Sequence, residues 1–285
     1  MATETYVLLD SGRGCKLERF GRYTLARPCS QALWQPTLPE ADWTAADASF
    51  DREEGQRWQH RDRLPEQWTI DVDGMRFRLS GTDFGHLGIF PEQRTGWQWL
   101  RQTLHAATRE RPGKLSVLNL FAYSGGSTLA AALEGAEVCH LDASAGMVQW
   151  ARENAALNGL QSAPIRWIVD DAHKFLGREI KRGRRYDAII LDPPSFGRGA
   201  QGEVYKIERD LPRTLELCAT LLSDAPVLML LSAHTPGITP TVLGHLLQDA
   251  LGKRQGDLSS GEMLLTGEAG VRSVPNGCYA RWETA

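Results

Sequence analysis

Apolar positions in the second two-thirds of the chain fall into short continuous runs separated by longer stretches of helical spacing. Val117–Phe121, Ala136–Leu141, Ile165–Val169, Tyr186–Leu191 and Val227–Leu231 are the continuous runs. Their lack of polar alternation predicts strands buried on both faces. The intervening stretches 127–134, 145–158, Ala172–Arg182, 206–222 and 240–251 place their apolar residues on one helical face. Such alternation predicts right-handed crossovers and a mostly parallel sheet. Two further candidate strands, Glu262–Leu265 and Cys278–Trp282, are placed to close one edge as an antiparallel pair. Upstream, Pro91 suits an early helical position, and Trp97, Leu100, Leu104 and Ala107 continue a helix with one apolar face.

Residues 1–80 read differently. Tyr6–Leu9, Leu17–Phe20, Tyr23–Ala26, Trp68–Val72 and Met75–Leu79 are short candidate strands separated by turn signals. Asp73-Gly74 supports a type I′ hairpin. Pro36–Arg63 is polar, studded with aromatics and without period, and is expected to be a loop. The expected division is a small β-rich region over 1–80 and an α/β domain over 81–285. Trp34, Trp43 and Trp58 are expected in the core of the small region, with stacking on bases as the alternative.

Composition narrows the class. With 42% hydrophobic and 24% charged residues, the 285-residue chain suits a globular protein with a sizeable core. No apolar run approaches the roughly 18 residues of a membrane span, and the start, Met1-Ala2-Thr3-Glu4-Thr5, lacks the pattern of a signal peptide; a cytoplasmic protein with no membrane partner is expected. The five cysteines are scattered without a C-x-x-C, so neither a disulfide framework nor a metal site is indicated. The net charge of −3 argues against a broad nucleic-acid-coating surface.

In an open α/β sheet, ligands bind at the carboxyl ends of the strands. Four strands end in suggestive residues. The first runs into Phe121-Ala122-Tyr123-Ser124-Gly125-Gly126, either a nucleotide- or nucleoside-binding βα turn or an ordinary one. The second ends at Asp142, suited to accept from ribose hydroxyls or to cap a helix. The third ends at Asp170-Asp171-Ala172, and the fourth at Asp192-Pro193-Pro194-Ser195-Phe196. Two prolines in succession stiffen that last turn and withhold its N–H donors, leaving carbonyls and a carboxylate to face a ligand.

Together with Trp150-Ala151-Arg152-Glu153-Asn154 and Leu157-Asn158-Gly159, this ordered series resembles the class I S-adenosylmethionine-dependent methyltransferases. Within them it is similar to the group that modifies bases of large-subunit ribosomal RNA. The resemblance spans about residues 80–285 and implies a Rossmann-like, seven-stranded, mostly parallel sheet with helices on both faces. It implies that Phe121, Ala122, Tyr123, Ser124 and Gly125 hold the methionine end of S-adenosylmethionine. Asp142 would take the ribose, with Ala143 beside the adenine, and Asp171 and Ala172 would meet the adenine edge. Asp192, Pro193 and Pro194 would line the methyl-transfer site. Gln93 and Arg94 would close over the cofactor, Arg94 pairing with the methionine carboxylate.

C5 of cytosine is a poor nucleophile, and its methylation requires a cysteine thiolate. None follows the Pro-Pro turn or the fifth strand, which ends Leu231-Ser232-Ala233-His234-Thr235. A nitrogen of an RNA base is therefore the expected acceptor. The alternatives are a protein side chain or small metabolite, and a cofactor-binding module without catalysis. His234 is either a base near the site or a packing residue. Arg198 and Lys206 are placed for phosphates, and Lys181-Arg182-Gly183-Arg184-Arg185 reads as a solvated helix end at the opposite edge.

Overall fold

In the computed structural model, which describes residues 5–51, 57–199 and 202–284, the chain divides into two compact units. One comprises Met1–Arg94 with Met263–Asn276, the other Thr95–Glu262 with Gly277–Ala285.

The first unit carries a five-stranded sheet in the order β1 (Tyr6–Gly12), β2 (Cys15–Phe20), β3 (Tyr23–Pro28), β4 (Ala48–Asp51), β5 (Arg57–Gln59), with a short helix α1 (Glu40–Thr44) before β4. Pro36–Arg63 is thus not the loop expected from its lack of period. Phe50 and Trp58, cross-strand partners on β4 and β5, stack edge-on at 5.3 Å, and pairing to a neighbour substitutes for intrinsic periodicity. Residues 52–56 of that stretch lie outside the described residues. A separate hairpin follows, β6 (Trp68–Val72) and β7 (Met75–Leu79). Asp73 and Gly74 have φ of 54° and 77°, the pair of positive values a type I′ turn demands.

The expected tryptophan core is only partly realised. Trp34, Trp43 and Trp58 are half-buried rather than buried, each donating its indole N–H to oxygen: Ser11 Oγ, Asp10 Oδ2 and the Thr82 carbonyl. The buried centre is instead apolar, with Leu8, Leu17, Phe20 and Leu25 inside. It also holds Glu18, which pairs with Arg27 at 2.7 Å and Lys16 at 3.3 Å.

Helix α2 (Arg94–Glu110) leads into the second unit's alternation: β8 (Ser116–Leu120), α3 (Gly126–Leu133), β9 (Glu137–Asp142), α4 (Ala145–Leu157), β10 (Ile165–Val169), α5 (Ala172–Lys181) and β11 (Ala188–Leu191). A two-stranded ribbon, β12 (Phe196–Arg198) and β13 (Val204–Lys206), comes next. Then follow α6 (Ile207–Leu221), β14 (Leu228–Ala233), α7 (Pro240–Leu251), β15 (Asp257–Leu265) and β16 (Val274–Glu283). The main sheet has seven strands in the order β10-β9-β8-β11-β14-β16-β15. Its first five are parallel, and β16 runs antiparallel to β14.

Strand alternation assigns the two faces of this sheet. Leu118, Leu120, Cys139, Leu141, Ile189 and Leu191 pack with Phe175, Leu176, Leu211, Leu215, Leu243 and Leu247 of α5, α6 and α7. The alternate positions Asn119 and His140 join Thr128 of α3 on the other face. The order reverses at β8 and β11, whose carboxyl ends therefore flank a crevice. Among the described residues, no helix is long and apolar enough to cross a membrane.

Candidate active site

The chain leaves β8 at Leu120 and enters α3 at Gly126 through five residues, two of which hold a backbone that L-residues avoid. Phe121 and Tyr123 have φ of 54° and 49°, and Gly125 has 91°. A non-glycine residue in this region costs about 1–2 kcal/mol and persists only where its surroundings determine it. They do so here. Ala122 N–H donates to the Leu141 carbonyl at 3.0 Å and Gly125 N–H to the Ala122 carbonyl at 2.9 Å. Tyr123 N–H donates to Asp142 Oδ2 at 2.9 Å, and the buried Asn154 of α4 donates its amide to the Ser124 carbonyl at 2.9 Å. The glycines admit close packing: a Cβ on Gly125 would lie 3.0 Å from Ala151 Cβ, and one on Gly126 2.4 Å from the Trp97 ring.

Beneath this turn runs a buried polar chain. Asn119 Nδ2 donates to Thr128 Oγ1 at 2.9 Å, and that hydroxyl meets His140 Nδ1 at 2.9 Å. His140 is fully buried against Trp167, and its Nε2 has no hydrogen-bond partner among the described residues. Burial, helped by Arg152, lowers its pKa to about 3, so the imidazole is neutral.

Asp142 closes β9. Its Oδ1 accepts from Ser144 N–H at 2.9 Å while Oδ2 holds Tyr123. Burial pushes its pKa up, and backbone amides of Ser144, Tyr123 and Ala143 oppose that. A carboxylate offers about four acceptor positions, so these amides leave it acceptor capacity for a hydroxyl. This acceptor geometry fits the ribose end of S-adenosylmethionine, and Ala143 lies exposed beside it. At the end of β10, Asp171 is the N-cap of α5, accepting from Lys174 N–H at 2.9 Å, and Ala172 is buried. Asp170 pairs with Arg178.

The turn after β11 carries Asp192, Pro193 and Pro194. Ser232 Oγ donates to Asp192 Oδ1 at 2.8 Å, and His234 Nδ1 lies 3.4 Å from the same oxygen. Ser195 and Thr235 join their hydroxyls at 2.7 Å, tying this turn to the residues after β14. Although no cysteine follows either element in the chain, the antiparallel β16 sets Cys278 opposite Ala233 at the carboxyl end of β14. Its Sγ is 3.4 Å from the Ile238 carbonyl. Burial, then Glu262 and Asp192, raises the thiol to about 11, so it is protonated.

Gln93 and Arg94 belong to the first unit. Gln93 is buried, and Arg94 Nε donates to Asp73 Oδ2 at 2.8 Å in the hairpin turn. That pairing raises the guanidinium pKa further. Among the described residues no group of three or more His, Cys, Asp or Glu is disposed to hold a metal ion.

Sequence reading assigned no role to Asn154, to the Asn119–Thr128–His140 chain or to Ser232. Asn154 stands in a quoted motif, and polar residues inside apolar strand runs (Asn119, His140) are a signal in themselves. Cys278 carries none, because strand pairing across 45 residues brings it to Ala233.

A family model described as "S-adenosylmethionine-dependent methyltransferase" matches residues 47–250. The solved structure of an S-adenosylmethionine-dependent methyltransferase from Agrobacterium tumefaciens superposes with a TM-score of 0.92 at 39% identity, covering 99% of this chain and 93% of that one. Among curated relatives, the ribosomal RNA large subunit methyltransferase K of Neisseria meningitidis is 26% identical over 62% of this chain and 49% of its own length. The corresponding K/L protein of Shewanella baltica is 33% identical over 53% and 20%. This chain therefore spans half or less of the length of these two relatives.

Proposed function

Because the chain belongs to the S-adenosylmethionine-dependent methyltransferases, we propose that it transfers a methyl group to a nitrogen of an RNA base at the carboxyl edge of the seven-stranded sheet. The observation that carries the edge assignment is the pairing of a strained, fully tied turn with a carboxylate that keeps acceptor capacity. Tyr123 and Asp142 share one hydrogen bond, so turn and carboxylate form one preorganised cradle. Phe121–Gly125 would hold the methionine end and Asp142 the ribose hydroxyls. Ala143, Asp171 and Ala172 would border the adenine. The assignment of Gln93 and Arg94 rests on the family resemblance.

When bound, S-adenosylmethionine supplies a methyl group made electrophilic by its sulfonium. Asp192, Pro193 and Pro194 present a stiff turn whose carboxylate is fixed by Ser232 and His234, which suits alignment of a flat acceptor. The neutral Cys278 thiol favours an acceptor with its own lone pair over one that needs a thiolate. The names of the ribosomal RNA relatives favour RNA.

The test is incubation with labelled cofactor and a cell extract, followed by RNase or protease and nucleoside analysis. Label is expected in RNase-sensitive material as an N-methylated base. Label only in protein or small molecules overturns the RNA reading, and 5-methylcytosine overturns the nitrogen.

A further inference from the structure

The ribbon β12–β13 follows the Asp192-Pro193-Pro194 turn after one residue, Ser195, and its two faces differ. Gly197 pairs with Tyr205, and this face turns inward. Tyr205 is buried, its ring 5.1 Å from Phe121 of the cofactor turn and 5.8 Å from His173, and its hydroxyl is 3.3 Å from Thr214 Oγ1. A Cβ on Gly197 would stand 3.2 Å from Pro194 Cγ. The inner face is therefore docked on both the cofactor turn and the Pro-Pro turn.

The outer face is built from the other cross-strand pairs, Phe196 with Lys206 and Arg198 with Val204. Directly opposed residues and residues two apart share a face, so these four side chains form one patch. All four are exposed: Phe196 is 51% accessible and Val204 40%. The Arg198 guanidinium lies over the Phe196 ring at 5.7 Å. Two neighbouring acids are engaged by cations outside the patch, Glu203 by Lys174 and Asp210 by Arg209, while Glu208 at the start of α6 is exposed. Arg198 and Lys206 are the cations of the outward face. A β-ribbon held rigidly from behind, with an exposed aromatic, an arginine stacked on it and a lysine across the strand, has the composition of a single-strand platform. Bases stack on aromatic faces whatever their identity, and cations follow the phosphates.

We propose that the outer face of β12–β13 binds the RNA strand beside the acceptor base, with Phe196 stacking a flanking base and Arg198 and Lys206 meeting phosphates. Sequence alone places Arg198 and Lys206 for phosphates; the ribbon joins them to an aromatic on one face. The inference rests on the RNA reading above.

The test is fluorescence anisotropy with a short fluorescein-labelled single-stranded RNA of mixed sequence, across a salt series, with calorimetry of S-adenosylhomocysteine on each variant. Phe196→Ala is expected to weaken RNA binding about tenfold with its salt dependence intact. The double variant Arg198→Glu, Lys206→Glu is expected to weaken it and to flatten the log–log salt slope by about 1.4, the loss of two single-strand phosphate contacts. S-adenosylhomocysteine affinity is expected to stay at the wild-type value in both. If the wild type binds this RNA and both variants match it in affinity and slope, the ribbon proposal is wrong and the RNA reading stands. If the wild type binds S-adenosylhomocysteine but no RNA at any salt, the RNA reading falls and takes the ribbon with it. If the variants lose S-adenosylhomocysteine and RNA together, the ribbon is a support of the cofactor cradle and the proposal is overturned.

Discussion

Asp142 and His140 lie two residues apart on β9, one at the strand's end and one within it, and burial acts on them in opposite senses. The carboxylate is held against burial by backbone amides, so Asp142→Ala removes both the clamp on Tyr123 and the acceptors proposed for the ribose. Hydrogen bonds to a charged group are worth about 1.5–3 kcal/mol, and calorimetry of the variant is expected to show S-adenosylmethionine affinity reduced tenfold or more. Unchanged affinity would remove Asp142 from the site. His140 is held neutral, its pKa lowered to about 3. An unfolded chain takes up that proton near its ordinary value of about 6.5. Between those limits the unfolded state binds more protons, so stability falls as pH falls, by up to about 1.4 kcal/mol per pH unit. Above 6.5 the residue contributes no pH dependence. Urea denaturation of His140→Leu between pH 4 and 6.5 is expected to show a flatter dependence than wild type; parallel curves would refute the assignment.

At the scale of elements, the hydrophobic pattern located every parallel strand to within two residues at either end: β8, β11 and β14 read as continuous apolar runs because they are buried on both faces, whereas the edge strand β10, with no fully buried residue, read from its β-branched and aromatic residues. The βα turn was legible as a glycine signal, but its strain was not: nothing in Phe121 or Tyr123 announces a positive φ, which the surrounding hydrogen bonds impose. The ribbon β12–β13 was missed because three-residue strands whose outward positions mix apolar and charged residues show no period. Pro36–Arg63 was missed because pairing, not propensity, makes its strands. Gly125→Ala must place a side chain at φ 91° with its Cβ 3.0 Å from Ala151, whereas Gly159→Ala meets nothing within 4 Å at φ 70°. Both carry the left-handed cost of about 1–2 kcal/mol. Only Gly125→Ala is expected to lose cofactor affinity as well, and to lower Tm further. Asp171 caps α5, and asparagine is an equally good cap. Asp171→Asn is therefore expected to keep the wild-type Tm while weakening cofactor binding; retention of both would make Asp171 a cap alone.

On the scale of the whole molecule, the chain returns to its beginning near its end. Met263–Asn276 belongs to the same compact unit as Met1–Arg94. Leu8 bridges Gly267, a Cβ on Gly267 would lie 2.5 Å from the Leu8 carbonyl, and Asn276 Nδ2 reaches Glu92 Oε1 at 2.5 Å. No local pattern carries this, since periodicity reports which face a residue buries and not which distant segment covers it. The consequence is testable by truncation. A fragment of residues 81–285 would keep Met263 and Val274, which are 3% and 0% accessible in the full chain, but lose the strands of the unit to which they belong. Apolar surface of that kind binds hydrophobic dyes and weakens cooperativity. The fragment is expected to bind ANS at neutral pH and to melt at lower temperature and less sharply than the full chain. A fragment that melts as sharply as the full chain without binding ANS would show that Thr95–Glu262 and Gly277–Ala285 hold their fold without the first unit, and that the returning segment adds no stability to them.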